Sequence, residues 1–259
     1  MIDHSILELN QVTKSFLSGK TLVKVLENLS LSLKSKEIVS IIGPNGCGKT
    51  TLFNIIVGLD KDFTGQLITS KNSSSEKKIP GFVFQQYENS LMPWLTCKDN
   101  ILFPLSQDKS LSDSHKNEVL VSLLDSLGLT RLPLQSYPYQ MSGGEKQMAC
   151  IARAMIGRPD LLLLDEPFSS LDYLRKKELY ELLQKVHLLY NTAILLITHN
   201  IDEGILLSDR VLVLSNKPTH ILKEVTVGLQ RPRSESDYSK EEFIRCREEI
   251  IRHFEKLSS

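Results

Sequence analysis

The chain has 259 residues, with 31 basic and 31 acidic side chains, 41% hydrophobic residues, four cysteines and one tryptophan. Zero net charge excludes holding nucleic acid or an anionic membrane by bulk electrostatics, since both need a basic excess. A charged fraction of 24% beside that apolar content excludes a disordered or fibrous chain, and the length fits one large domain or two small ones.

From the N-terminus, Ile6 to Leu33 alternates polar and apolar residues (Leu7, Leu9, Val12; Leu29, Leu31, Leu33), which predicts an antiparallel lobe with one wet face. Buried parallel strands are expected at Glu37 to Ile42, Gly81 to Phe84, Asp160 to Leu164 and Thr192 to Ile197, with a fifth at Val211 to Leu214. The pattern turns helical between Tyr87 and Met155, where Leu120, Leu123, Leu124 and Leu127 share one face. Lys71 to Lys78 and Ser106 to Ser114 read as solvated loops, and a charged terminal helix over Ser239 to Lys256 carries Phe243, Ile250, Ile251 and Phe254 towards one side. The alternation of strands and helices predicts an α/β fold. Its apolar stretches fall far short of the roughly 20 residues of a spanning helix. Met1 to Asn10 lacks secretion-signal features, and Cys47, Cys97, Cys150 and Cys246 lack close pairing, so a reduced, cytosolic compartment is expected.

Gly43-Pro44-Asn45-Gly46-Cys47-Gly48-Lys49-Thr50, followed by Thr51, matches the phosphate-loop pattern in its required setting, after a strand and before a helix. Backbone amides at such a turn bind anionic phosphate, Lys49 adds a point charge, and the Thr50 hydroxyl can ligate magnesium. The strand Leu161 to Leu164 ends in Asp165 and Glu166. Strand alternation sends them to opposite sides, Asp165 towards the metal and Glu166 towards the attacking water. A metal clamp, a lysine and a water-orienting carboxylate suffice for phosphoryl transfer. Ser142-Gly143-Gly144-Glu145 opens a helix as a second anion-binding turn, which asks for a phosphate from elsewhere, most simply a second subunit's nucleotide.

These motifs, with Gln85 after Gly81-Phe-Val-Phe84, Met141 before the Ser142 turn, Ser170-Leu-Asp172 and Thr198-His199, closely resemble in order and spacing the ATP-binding subunit of an ABC transporter, over nearly the whole chain. The resemblance implies a P-loop NTPase fold: a mixed, mainly parallel core sheet, an N-terminal antiparallel β lobe and an inserted α-helical subdomain. The layout would be an ATPase domain over 1–230, with the helical part at about 87–155, and a linker and C-terminal helix over 231–259. It further implies a head-to-tail homodimer in which the phosphate loop of one subunit and the Ser142 turn of the other sandwich each ATP with Mg2+. Phe16 would stack on adenine, although an isolated Phe also suits a core. Gln85, or its neighbour Gln86, would sense metal, water and the membrane partner. Asp172 would line the dimer seam and His199 would contact the terminal phosphate.

Two positions depart from the family pattern. Glu145 stands where glutamine is usual, putting a carboxylate near the phosphates of the other subunit, and Met141 stands where leucine is usual. Cys47 fills a position that is commonly serine, either as a small filler or as a thiolate favoured by the helix dipole. Tyr87, Leu91, Met92, Trp94, Leu95 and Phe103 would line an apolar groove that docks a helix of an integral-membrane permease. Leu91 to Thr96 and the stretches at Thr198 and Ser208 resemble the nitrate, sulfonate and taurine importer subgroup especially, while importers of pyrimidine vitamin precursors share much of this wording. The implied protein is an importer ATPase on the cytoplasmic face of a bacterial inner membrane, indirectly served by a substrate-binding protein and holding no nucleic acid. A soluble ABC-type ATPase would need a coiled-coil insert or a second motif set. A GTPase would need Asp where Asn216-Lys-Pro-Thr219 ends in Thr.

Overall fold

A computed structural model describes residues 5–69, 80–84, 90–106, 108, 110–169 and 171–255. In chain order these form β1 (Ser5–Ser18), β2 (Thr21–Lys34), β3 (Ile38–Ile42), α1 (Lys49–Ile56), β4 (Thr64–Thr69), β5 (Gly81–Val83), α2 (Cys97–Leu102), α3 (Asp113–Leu127), α4 (Gly143–Met155), β6 (Leu161–Asp165), α5 (Tyr173–Tyr190), β7 (Ala193–Ile197), α6 (Ile201–Leu207), β8 (Arg210–Leu214), β9 (Ile221–Thr226) and α7 (Glu241–Glu255). Contacts divide the chain into two compact units, residues 1–71 with 193–259, and residues 72–192.

The first unit holds two sheets. In one, β1 pairs antiparallel with both β2 and β4, burying Leu7, Leu9, Val12, Leu29, Leu31 and Leu33 on one face as the alternation predicts. In the other, β3 runs parallel between β7 and β8, and β9 closes the edge antiparallel to β8. All five residues of β3 and of β7 are buried, and such strands read as unbroken apolar runs because both faces are covered. Helix α6 lies close on β3: a Cβ on Gly204 would stand 2.7 Å from Ile42 Cδ1. The terminal helix buries Phe243, Cys246 and Ile250. Ile251, expected on the same side, is 38% exposed, because it falls one position past the stripe that Phe243, Cys246 and Ile250 set at three and four residue spacing.

In the second unit β5 runs parallel to β6, whose residues are all buried. Helix α3 turns Leu120, Leu123, Leu124 and Leu127 inward, starts on the Ser112 hydroxyl, which accepts from His115 N, and stops at Gly128 in a left-handed conformation. Of the expected loops, Lys71 to Lys78 lies outside the described residues. Among the described residues no helix is long and apolar enough to cross a membrane.

Candidate functional site

Strand β3 runs directly into the glycine loop, and α1 starts at its end. Gly48 takes φ 116°, and a Cβ there would stand 2.8 Å from Val25 Cγ1. Only glycine meets both demands. Asn45 and Gly46 form the exposed tip, and Pro44 O accepts from Cys47 N at 3.3 Å. Helix α1 has no side-chain cap and no acidic residue in its first turn, so its leading N–H groups keep their pull on an anion. Lys49 Nζ is buried along the loop and donates to the carbonyls of Gly43 and Pro44, each at 2.9 Å. Thr50 is exposed and Thr51 half-buried at the start of α1.

Cys47 points inward. A Cβ on Gly43 would meet Cys47 Sγ and Leu214 Cβ at 2.9 Å, and the buried Thr219 hydroxyl donates to the Cys47 carbonyl. The thiolate expectation therefore fails: burial pushes the Cys47 thiol up, outweighing the opposing pull of Lys49. Thr219, absent from the motif, helps hold the loop, and only its three-dimensional position reveals this.

His199 leaves the end of β7, the strand beside β3, so the phosphate loop and the histidine emerge from the same end of adjacent parallel strands. This is where open α/β sheets bind ligands. Thr198 N donates to Ile41 O at 3.2 Å. The His199 ring is exposed, while its neighbour Thr198 is 1% exposed and donates to the buried Glu203 carboxylate at 2.6 Å.

In the second unit Asp165 is buried at the end of β6 and Glu166 follows at φ 46°. That left-handed backbone places Glu166 outside the strand, so the turn and not strand alternation sets its direction. Such strain in a non-glycine residue costs of order 1–3 kcal/mol and gathers at functional sites. The Glu166 carbonyl accepts from Ser169 N and Oγ at 3.3 and 3.1 Å, closing the turn. The Ser142 hydroxyl caps α4 by accepting from Glu145 N, and the Glu145 carboxylate turns back onto Ser142, which draws it below the ordinary carboxylate range. Gly143 and Gly144 form the first helical positions. Gln147, one turn further along and fully buried, donates to the Pro167 carbonyl and so links α4 to the Glu166 turn. The exposed Asp172 caps α5 by accepting from Arg175 N at 3.0 Å.

Phe16 lies within β1 and is 44% exposed, with Lys14 Nζ 4.7 Å from its ring centroid, so the core alternative does not hold. Met92, Trp94, Leu95, Leu102 and Phe103 line a groove of about 640 Å³, with Trp94 71% exposed. Leu91, expected there, is buried and does not line the groove. The groove loop hangs on the fully buried Asn100, whose Nδ2 donates to the carbonyls of Met92, Leu95 and Thr96 and whose Oδ1 accepts from Met92 N. Gln85, its alternative Gln86, Tyr87 and Ser170 lie outside the described residues. Among the described residues no three His, Cys, Asp or Glu side chains cluster as a ready metal site.

A glycine loop between a buried parallel strand and a helix, with a histidine at the adjacent strand end, defines a nucleoside-triphosphate-binding α/β protein. A family model described as ABC transporter matches residues 26–169. "Aliphatic sulfonates import ATP-binding protein SsuB" of Bacillus cereus is 40% identical over 249 residues, 95% of each chain. "Uncharacterized ABC transporter ATP-binding protein MJ0412" of Methanocaldococcus jannaschii is 37% identical over 246 residues, covering 95% of this chain and 90% of that one. Among solved structures, the dimeric post-hydrolysis state of the ATP-binding cassette MJ0796 bound to ADP and Pi aligns with TM-score 0.72 and 29% identity over 85% of this chain and 98% of that chain. The chain belongs to the ABC transporter family, as an ATP-binding subunit that hydrolyses ATP to power transport.

Proposed function

We propose that this protein energises a bacterial importer for aliphatic sulfonates or closely similar small anions, working as a homodimer bound to integral-membrane permease subunits. The supporting observation is the 40% identity over 95% of both chains with an aliphatic sulfonates import protein. The dimeric arrangement of a cassette of the same fold supports the homodimer. An exposed groove around Trp94, lined by apolar side chains together with Asp99, Ser106, Asp113 and Lys116, suits an amphipathic permease helix, which would hold the subunit at the cytoplasmic face of the inner membrane, with a substrate-binding protein feeding the permease.

In this reading the amides of Gly43 to Thr51 and the Lys49 ammonium hold the ATP phosphates, and Phe16 stacks on the adenine. Thr50 and Asp165 supply hard oxygen donors suited to Mg2+, with Gln85 assigned to the same ion. Magnesium, when bound, neutralises charge on the transferred phosphoryl group. Glu166 orients the attacking water and takes its proton, and His199 donates to the terminal phosphate. Ser142, Gly143 and Gly144, with Glu145 behind them, meet the ATP of the other subunit, and Asp172 lines the seam. ATP binding closes the dimer and hydrolysis reopens it.

Glu166→Gln is expected to run as an ATP-dependent dimer on a sizing column, and Lys49→Ala to lose ATP binding. A Glu166→Gln chain that stays monomeric with ATP counts against the shared site. For the substrate, the assembled transporter in vesicles should hydrolyse ATP faster with an alkanesulfonate and its binding protein than with sulfate. Equal rates overturn the sulfonate assignment.

A further inference from the structure

Thr198 and Asn200, on either side of His199, and the first turn of α6 are joined by a run of hydrogen bonds. The Glu203 carboxylate, 3% exposed, accepts a hydrogen bond from the Thr198 hydroxyl at 2.6 Å. The same hydroxyl oxygen accepts from Asn200 N at 3.1 Å. Asn200 Oδ1 in turn caps α6, accepting from Asp202 N at 2.9 Å and Glu203 N at 3.2 Å. Behind this set, Thr198 N is tied to β3 through Ile41 O, and Gly204 allows α6 to lie against Ile42.

A carboxylate this deeply buried is costly unless its hydrogen bonds are made. An N-cap needs only Asn200, so the cap alone does not account for Glu203 or for the Thr198 hydroxyl. The Thr198 hydroxyl lies between the two, donating a hydrogen bond to Glu203 and accepting one from the main-chain N–H of Asn200. The backbone is thereby fixed on both sides of an exposed imidazole, and the ring gains a set direction without itself being buried.

We propose that Thr198, Asn200 and Glu203 are positioning residues for His199, with the Glu203 carboxylate setting the orientation of the Thr198 hydroxyl that pins the histidine turn. This rests on His199 acting at the terminal phosphate. A misdirected catalytic group costs turnover more than ground-state binding.

The test measures steady-state ATP hydrolysis by the assembled transporter for Thr198→Val, which keeps the shape and removes the hydroxyl, and for Thr198→Ser, which keeps the hydroxyl. Thr198→Val is expected to lower kcat about tenfold with KM for ATP within about twofold, and Thr198→Ser to recover most of that loss. Native kcat in Thr198→Val, or equal losses in both variants, overturns the proposal. Should Thr198→Val not fold, Glu203→Gln, which keeps an acceptor oxygen, is expected to exceed Glu203→Met about fivefold in kcat, and equal kcat overturns it. His199→Ala separates the two levels. If it hydrolyses ATP at the native rate, the role of His199 itself is wrong; if it is inactive while Thr198→Val turns over normally, only the positioning role is wrong.

Discussion

Glu145 accepts two hydrogen bonds from Ser142, one from the main-chain N–H and one from the hydroxyl, both at 2.8 Å, while Ser142 Oγ accepts from Glu145 N at 3.3 Å. This reciprocal capping box turns the carboxylate back onto its own helix start, so the negative charge stays with donors of its own chain. The Ser142 N–H, followed by its hydroxyl, holds the Glu145 carboxyl below its ordinary value. A group depressed in the folded state stabilises it above the unfolded pKa and loses that contribution as pH falls through the folded one. Glu145→Ala is therefore expected to cost about 1 kcal/mol at pH 7. Urea titrations of both chains should show the gap narrowing below about pH 4.5, whereas a gap that stays constant down to pH 4 refutes the box.

All four cysteines are buried and free of disulfides. Burial pushes Cys97 up to about 12 and Cys246 up to about 11, and raises Cys47 and Cys150 as well. The thiolate is the reactive form, so the folded chain should consume less than about one equivalent of a thiol-blocking reagent at pH 8, and about four once unfolded. ATP affinity is expected to be unchanged after treatment of the folded chain. Rapid labelling of Cys47, read by mass spectrometry of peptides, contradicts the inward placement of its sulfur.

Trp94 and Asn100 divide the groove into a face and a frame. Trp94 is mostly exposed, so Trp94→Ala should leave stability within about 0.5 kcal/mol while weakening co-purification with the permease. Asn100 makes four hydrogen bonds from a fully buried side chain. Asn100→Leu removes them and leaves the Leu95 carbonyl and the Met92 N–H without their side-chain partner, for a cost of about 3 kcal/mol. Thermal unfolding separates the pair, and a Trp94→Ala loss as large as that of Asn100→Leu contradicts this division.

Locally dictated features were legible in the sequence. The phosphate loop shows because its glycines are needed where they stand, and β3, β6 and β7 show because two-sided burial leaves an apolar run. Strands β4 and β9 escaped, being edge strands with mostly exposed or half-exposed residues that carry no apolar signature. Gln147 and Thr219 escaped for another reason: each owes its place to a partner distant along the chain, Pro167 and Cys47, so its own letter says nothing, while Asn100 binds main-chain atoms of its own loop, which carry no sequence signature. Strand alternation does not reach Glu166, which lies past the end of β6 with a left-handed backbone in a turn closed by Ser169. Leu91 and Trp94 are equally apolar in a list, and only packing sends one inward and the other out.

The loop glycines Gly46 and Gly48 make opposite demands, and replacing each by alanine separates ligand space from fold. Both have positive φ, 74° and 116°. A Cβ on Gly48 would meet Val25 Cγ1 at 2.8 Å and Leu26 Cδ2 at 3.2 Å, whereas one on Gly46 meets nothing within 4 Å. Gly48→Ala thus adds a collision with β2 to the backbone strain and should destabilise by about 3 kcal/mol. Gly46→Ala carries strain alone, about 1 kcal/mol, in a left-handed well that alanine can enter. Its methyl projects from the exposed tip of the loop assigned to the phosphates, so ATP affinity should fall by tenfold or more while the fold survives. Calorimetric titration with ATP, set beside thermal melts, reads both quantities. Native ATP affinity in Gly46→Ala would remove the tip of the loop from the phosphate site, and a Gly48→Ala chain as stable as Gly46→Ala would show that β2 yields to the added methyl.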